Sequence, residues 1–320
     1  MTISVCMIVK NEEKNLAACL DCLKEIADEI VIVDTGSEDN TKAIAAEYTD
    51  KVYDFVWTGS FSDARNFAFS KAEMDYIYSA DADERIDEEN RKKFLLLKKA
   101  LLPEVEIVQM YYCNQLENNT IYSFDKEYRP KLYMRIRHFI WQEKIHEAVA
   151  LEPVVYDSDI EIVHKPFSGH GSRDLAVFAD MAEKGELLSK RLTDIYAKEL
   201  YITGKTEDYK RAEHFFIKTA EEAKEEDILK QACSVLAKYY RLTGEDAAFM
   251  KYALKVTALN GCSEMCYEIG EYYFTKEDYQ EAAMWYYNAA HETEPLLCAA
   301  SRDELPLGRL EECRKRSNIS

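Results

Sequence analysis

Through the first hundred residues, short runs rich in β-branched and aromatic side chains alternate with apolar positions at helical spacing. That pattern belongs to a parallel sheet with crossover helices. The β-like runs are TISVCMIV (2–9), EIVIVD (29–34), KVYDFVW (51–57) and DYIYSA (75–80). Between them the periodicity predicts helices over 12–25, 40–48 and 62–72, with Asp39 placed to cap the second ahead of Ala43, Ile44 and Ala46. From Glu104 to Val163 the β-like segments lengthen, which predicts a mixed, partly antiparallel extension of the sheet. The stretch KPFSGHGSRD (165–174) then reads as a loop before a helix starting near Ser172.

Beyond Arg173 the β pattern stops and helical spacing takes over. GKTEDYKRAEHFFIKTA and FTKEDYQEAAMWYYNAA align Tyr209 with Tyr279 and Ala212 with Ala282, two periods of 35 residues apart, with a weaker copy between them. A period near 34, with Tyr followed by a small residue, matches tetratricopeptide helix pairs, whose small side chains let two helices approach. Two domains are therefore expected: an α/β, Rossmann-like domain over 1–170 and an all-α, tetratricopeptide-like domain over 171–320. In the second, the aromatic residues Tyr239, Tyr240, Tyr272, Tyr273, Trp285, Tyr286 and Tyr287 read mainly as repeat core.

The formal charge of −19 over 320 residues argues against a broad nucleic-acid surface, since phosphate binding needs a basic face. Nine cysteines, an odd number, read as reduced thiols in a cytoplasmic protein, and no run approaches the length of a membrane span. Cys19 and Cys22 form a C-x-x-C inside an apolar-periodic helix with no second pair at zinc spacing, so packing is the expected role.

In open α/β sheets ligands bind beyond the carboxyl ends of the strands, here KNEE, DTGS, WTGSFSDARN and DADE. The last opens SADADERIDEEN (79–90), with six carboxylates in twelve residues. In so acidic a chain this could be a solvated turn. After a buried strand, however, Asp81 and Asp83 form a pair of hard carboxylates suited to a divalent cation that also meets phosphate oxygens. Asp87, Glu88 and Glu89 more simply open the next helix, where acidic side chains suit the dipole, and Glu84 falls between the two roles.

These four motifs, in this order, resemble the inverting family 2 glycosyltransferases of the nucleotide-diphosphosugar-binding (GT-A) fold. The resemblance covers roughly the first half of the chain. It is nearest to the branch with C-terminal tetratricopeptide helices, which includes peptide S-glucosyltransferases; the lipopolysaccharide-core glucosyltransferases have a similar N-terminal half. It implies a UDP-sugar donor, UDP-glucose in particular, with Lys10, Asn11 and Glu12 lining base and ribose and Asp34 accepting from the uracil imide. Arg65 would bind the nucleotide or its phosphates, with Asn66 supporting its loop. Asp81 would touch ribose or the metal through water, and Asp83 would ligate it directly.

The same resemblance makes Glu147 in WQEKIHEAV the base, assisted by His146, with Glu143 in reserve; many relatives have Glu-Asp where this chain has His146-Glu147. His164 would be a further metal ligand, which favours Mn²⁺ over Mg²⁺. Lys165 and the glycines after it would fold over the diphosphate. Tyr128, Arg135, Arg137 and Trp141 are candidates for the acceptor side. The acceptor itself, a peptide or protein side chain or a glycan, is left open, and a homodimer through the helical domain is a further expectation. The competing readings are a tetratricopeptide scaffold holding a nucleotide without turnover, and a nucleotidyltransferase. The second would need a Gly-rich N-terminal loop that MIVKNEE lacks.

Overall fold

A computed structural model describes residues 1–113, 126–149, 153–165 and 171–317. The chain divides into two compact units, Met1–Gly169 and His170–Ser320.

The first unit is built on one sheet. Its strands are β1 (Ile3–Val9), β2 (Glu29–Asp34), β3 (Val52–Asp54), β4 (Tyr76–Ala80), β5 (Glu84–Arg85), β6 (Ile107–Cys113), β7 (Lys126–Met134) and β10 (Val155–His164). They lie in the order β3-β2-β1-β4-β7-β6-β10-β5, and β8 (Trp141–Gln142) pairs separately with β9 (Ala148–Val149). The first four strands are parallel; β7 runs antiparallel between β4 and β6, while β10 is parallel to β6 and antiparallel to β5.

The period of two sorts the core. Ile3, Val5, Met7 and Val9 face the helices α1 (Leu16–Leu23), α2 (Thr41–Ala46) and α4 (Glu88–Ala100), which contribute Leu16, Leu20, Ala45 and Phe94. On the other face Cys6, Val31, Val33 and Ile77 pack on Ala68 and Phe67 of α3 (Phe61–Phe69). A smaller cluster of Ile107, Tyr133, Phe139 and Trp141 continues that face beneath the β8–β9 ribbon.

Several boundaries differ from the sequence pattern. Helix α1 begins at Leu16 rather than at 12, because Glu12 and Glu13 give their amides to Thr41 and Asp39. Asn40, not Asp39, occupies the capping position of α2; Asp39 nevertheless accepts from the Thr41 amide at 2.9 Å. β3 keeps only three residues of KVYDFVW. Asp87 caps α4 through the Asn90 amide at 2.8 Å, so the acidic run after 86 does open that helix.

The second unit is helical: α5 (Gly171–Glu183), α6 (Lys190–Thr203), α7 (Thr206–Glu222), α8 (Glu226–Thr243), α9 (Asp246–Thr257), α10 (Ser263–Thr275), α11 (Tyr279–His291) and α12 (Glu304–Ser317). Ala212 and Ala282 are fully buried, as small residues at a helix contact must be. At Gly270 an added Cβ would stand 2.6 Å from the Tyr286 ring. The Glu264 carboxylate, also fully buried, accepts from the amides of Leu296, Leu297 and Cys298 and so fixes the chain between α11 and α12.

Candidate functional site

The strand order 3-2-1-4 places the carboxyl ends of β1 and β4 side by side at the point where the sheet order reverses, which is where an open α/β sheet offers its crevice. The turns after β1 and β2 are knitted together on one flank of it. Asn11, in a left-handed conformation (φ 55°), gives its amide to Ser37 Oγ at 2.9 Å and accepts from the Glu38 amide at 2.8 Å. Glu12 accepts from the Asn15 side chain at 3.1 Å, and Lys10 is exposed beside them.

Asp34, ending β2, is buried. Its Oδ2 accepts from the Gly36 and Ser37 amides at 3.0 and 2.9 Å, while its buried Oδ1 accepts no hydrogen bond. A buried acceptor without a donor is costly, and a ligand N–H aimed at Oδ1 would satisfy it.

On the other flank, α3 starts at Ser60, whose Oγ accepts from the Asp63 amide at 3.2 Å. One turn later Arg65 enters the site. Its Nε donates to Glu147 Oε1, Nη1 to Ser79 Oγ at 2.9 Å and Nη2 to Asp81 Oδ1 at 2.9 Å, with the guanidinium 5.2 Å over the Trp141 ring. The sequence expectation for Arg65 is a contact with the nucleotide or its phosphates; in the structure one donor from each of its three nitrogens joins the β4 tip to the β8–β9 ribbon. Asn66 secures that ribbon through Trp141, donating to its carbonyl at 3.0 Å and accepting from its amide at 2.8 Å.

Between β8 and β9 the backbone turns through Glu143 (φ 69°) and His146 (φ 48°), both in the left-handed region that non-glycine residues seldom adopt. Glu147, its side chain 11% exposed, follows at once and is delivered to Arg65. Strain of this kind collects where a structure must aim a side chain.

The tip itself places its carboxylates differently from one another. Burial alone would raise Asp81, but Arg65 on Oδ1 and Lys131 at 3.5 Å from Oδ2 hold it well below the usual carboxylate range. Asp83 turns the other way, and its Oδ2 lies 3.0 Å from His164 Nε2 at the end of β10. Glu84, undecided in the sequence, is 2% exposed and bonded to Lys131; burial raises it to about 8 in spite of that ammonium.

Asp83 and His164 fit a divalent cation. Two cis ligand atoms about 2.1 Å from an octahedral ion stand about 3.0 Å apart, the separation found here. A carboxylate oxygen with an imidazole nitrogen also suits Mn²⁺. Lys165 gives its amide to the Asp83 carbonyl at 2.9 Å and its side chain is exposed. Residues 166–170, expected to close over a diphosphate, lie outside the described residues.

Two acceptor candidates are displaced. Arg135 donates to the Met74 carbonyl and Arg137 pairs with Glu106 at 2.7 Å, beside the amino end of β4, because β7 runs antiparallel and carries 135–137 away from the tip. Tyr128 stacks on Tyr111 with centroids 4.1 Å apart, whereas Trp141 does belong to the site, under Arg65. Lys131 and Ser79 were missed by sequence reading. The only trace of Lys131 was a lysine inside the otherwise apolar PKLYM of a strand.

Residues 4–151 match the model of the family described as Glycosyl transferase family 2. A TPR repeat-containing protein of Synechococcus elongatus is 44% identical over 84 residues, 26% of this chain and 21% of that protein. The SPbeta prophage-derived glycosyltransferase SunS of Bacillus subtilis is 28% identical over 164 residues, 50% of this chain and 36% of SunS. The lipopolysaccharide core biosynthesis glycosyltransferase LpsC of Rhizobium meliloti is 34% identical over 113 residues, 34% of this chain and 40% of LpsC. The chain thus spans well under half the length of these curated relatives. No described helix is long and apolar enough to cross a membrane.

Proposed function

We propose that this chain, whose residues 4–151 match the family 2 glycosyltransferase model, transfers a hexose from a UDP-sugar to an acceptor in one inverting displacement. The observation that carries this reading is the meeting of Asp83 with His164, 81 positions apart in the chain and 3.0 Å apart in space, at the carboxyl end of β4. Asp34 Oδ1 would accept the N–H of the base, with Asn11 and Glu12 shaping the turn around it. A divalent ion on Asp83 and His164, Mn²⁺ before Mg²⁺, would neutralise charge developing on the leaving diphosphate.

Glu147 is the base. The acceptor's O–H or S–H attacks the anomeric carbon, its proton passes to Glu147 Oε2, and UDP leaves with the electrons of the broken C–O bond. Arg65 occupies Oε1 and so orients the carboxylate, leaving Oε2 toward the acceptor. A thiol acceptor, which ionises readily, would ask less of that base than a sugar hydroxyl. The acceptor is a peptide or protein side chain, with a surface glycan, which the name of LpsC points to, as the second reading. A nucleotide-binding scaffold without turnover would have no use for a carboxylate aimed through two strained residues.

The test is UDP release from a panel of UDP-sugars with Mn²⁺, comparing the wild type with Asp83→Ala, and calorimetric titration with UDP. Hydrolysis or transfer with one sugar, abolished in the variant, is expected. No turnover together with no UDP binding would remove the enzyme reading, and full activity in Asp83→Ala would remove the metal assignment alone.

A further inference from the structure

Lys131 stands in the middle of β7, its side chain 7% exposed, and points at the base of the β4 tip. Its ammonium bonds to Glu84 Oε1, donates to the Ser79 carbonyl at 3.2 Å and lies 3.5 Å from Asp81 Oδ2. A lone buried lysine would shed its charge or destabilise the fold. Here three oxygens surround it, and they come from the strand end and the turn that carry Asp83.

Its partners bracket Asp83 on both sides. Asp81, two residues before, is held on Oδ2 by Lys131 and on Oδ1 by Arg65. Glu84, the residue after, is held by Lys131 through its side chain and pairs with His164 in the β5–β10 register. The turn is closed by the Glu84 amide on the Asp81 carbonyl at 3.1 Å. A second path runs through Tyr112, whose ring lies 5.3 Å from the Lys131 ammonium and packs against the His164 imidazole with centroids 5.1 Å apart. One buried charge therefore underlies both candidate ligands.

We propose that Lys131 is a positioning residue for the cation site: it fixes the 81–84 turn and the Tyr112 ring so that Asp83 and His164 present their ligand atoms together. With one oxygen on each cation, Asp81 is then an anchor of the tip and not a direct ligand. This rests on the metal-dependent reading above. Outer-shell partners of this kind set the orientation of ligands they never replace.

The experiment measures Mn²⁺ binding by calorimetric titration of the full chain, without donor, alongside thermal unfolding. Lys131→Met removes the charge and keeps the stem. Because it strands Glu84, the double variant Lys131→Met/Glu84→Gln is made as well, to restore a neutral, packed interior. The expected result is that both variants bind Mn²⁺ at least about tenfold more weakly, the double variant melting close to the wild type. A double variant with wild-type melting and wild-type Mn²⁺ affinity would overturn the positioning role while leaving the metal reading intact. A wild type that binds no Mn²⁺, with or without UDP, would overturn both.

Discussion

Arg65 bonds both to Asp81 at the β4 tip and to Glu147 after the β8–β9 turn, and its replacement by methionine separates structural cost from catalytic cost. Methionine keeps an unbranched stem over Trp141 but none of the donors, leaving Glu147 11% exposed without its cation. Removing one partner of a buried pair costs about 3–5 kcal/mol. The Asp81 end is 34% exposed and still faces Lys131, so solvent screening reduces its share to about 0.5 kcal/mol. A total of about 4 kcal/mol lowers the melting temperature of the N-terminal unit by roughly 8–16 °C. Scanning calorimetry reads that shift, and UDP release reads activity. Adding Glu147→Gln removes the stranded charge, so the double variant should recover about 2 kcal/mol relative to the sum of the single losses, yet stay inactive. If instead the single losses add to within about 0.5 kcal/mol, Arg65 and Glu147 are not a coupled buried pair and the route proposed between the two halves fails.

Other outcomes follow from groups elsewhere. Burial, with Asp174 adding to it, raises the Glu199 carboxyl from 4.5 to about 7, so the folded chain keeps a proton that the unfolded chain releases. Stability is then undiminished below about pH 4.5 and falls by about 3 kcal/mol as the pH rises to 7. Glu199→Gln should melt with the wild type near pH 5 and above it at pH 8, and equal melting at pH 8 would contradict this. Gly270→Ala should destabilise the helical unit by about 1–3 kcal/mol, since the new Cβ meets the buried Tyr286 ring at 2.6 Å; a neutral effect in urea unfolding would mean that α10 and α11 separate easily. The Cys19 thiol and the Ile86 amide lower the Cys22 thiol against its burial, whereas Cys19 itself is fully buried and raised. Alkylation at pH 7.5 followed by peptide mapping should mark Cys22 first, and earlier labelling of Cys19 would contradict the pairing.

What could be read from the chain was whatever repeats over short distances. The β1–β4 alternation, the acidic start of α4 and the small residues of the helical repeat all express periods of two, of about four, or a cap and its helix, and each survives in the fold. The strand order beyond β4 does not express any such period. β7 enters between β4 and β6 antiparallel to both, and that choice turned Arg135 and Arg137 from acceptor candidates into residues at the far end of the sheet. β5, two residues long, is too short for any alternation to register, yet its pairing with β10 is what brings His164 to the tip.

The contacts that define the site join residues far apart in the chain: 47 positions between Lys131 and Glu84, 82 between Arg65 and Glu147, 81 between His164 and Asp83. Local pattern has no access to them; it showed Asp81 and Asp83 only as a D-x-D pair, and their separate roles were expected from the family resemblance alone. In the folded unit one is matched to two cations and the other to an imidazole, which is the division into anchor and ligand proposed above. That division also gives the acidic composition a physical place: of six carboxylates in SADADERIDEEN, Asp87 caps a helix, Glu88 and Glu89 sit in its first turn, and Asp81 and Glu84 are bonded to the buried side chains of Arg65 and Lys131. Asp83 instead meets the His164 imidazole at 3.0 Å, and a metal ion held by both would leave neither Arg65 nor Lys131 without its carboxylate.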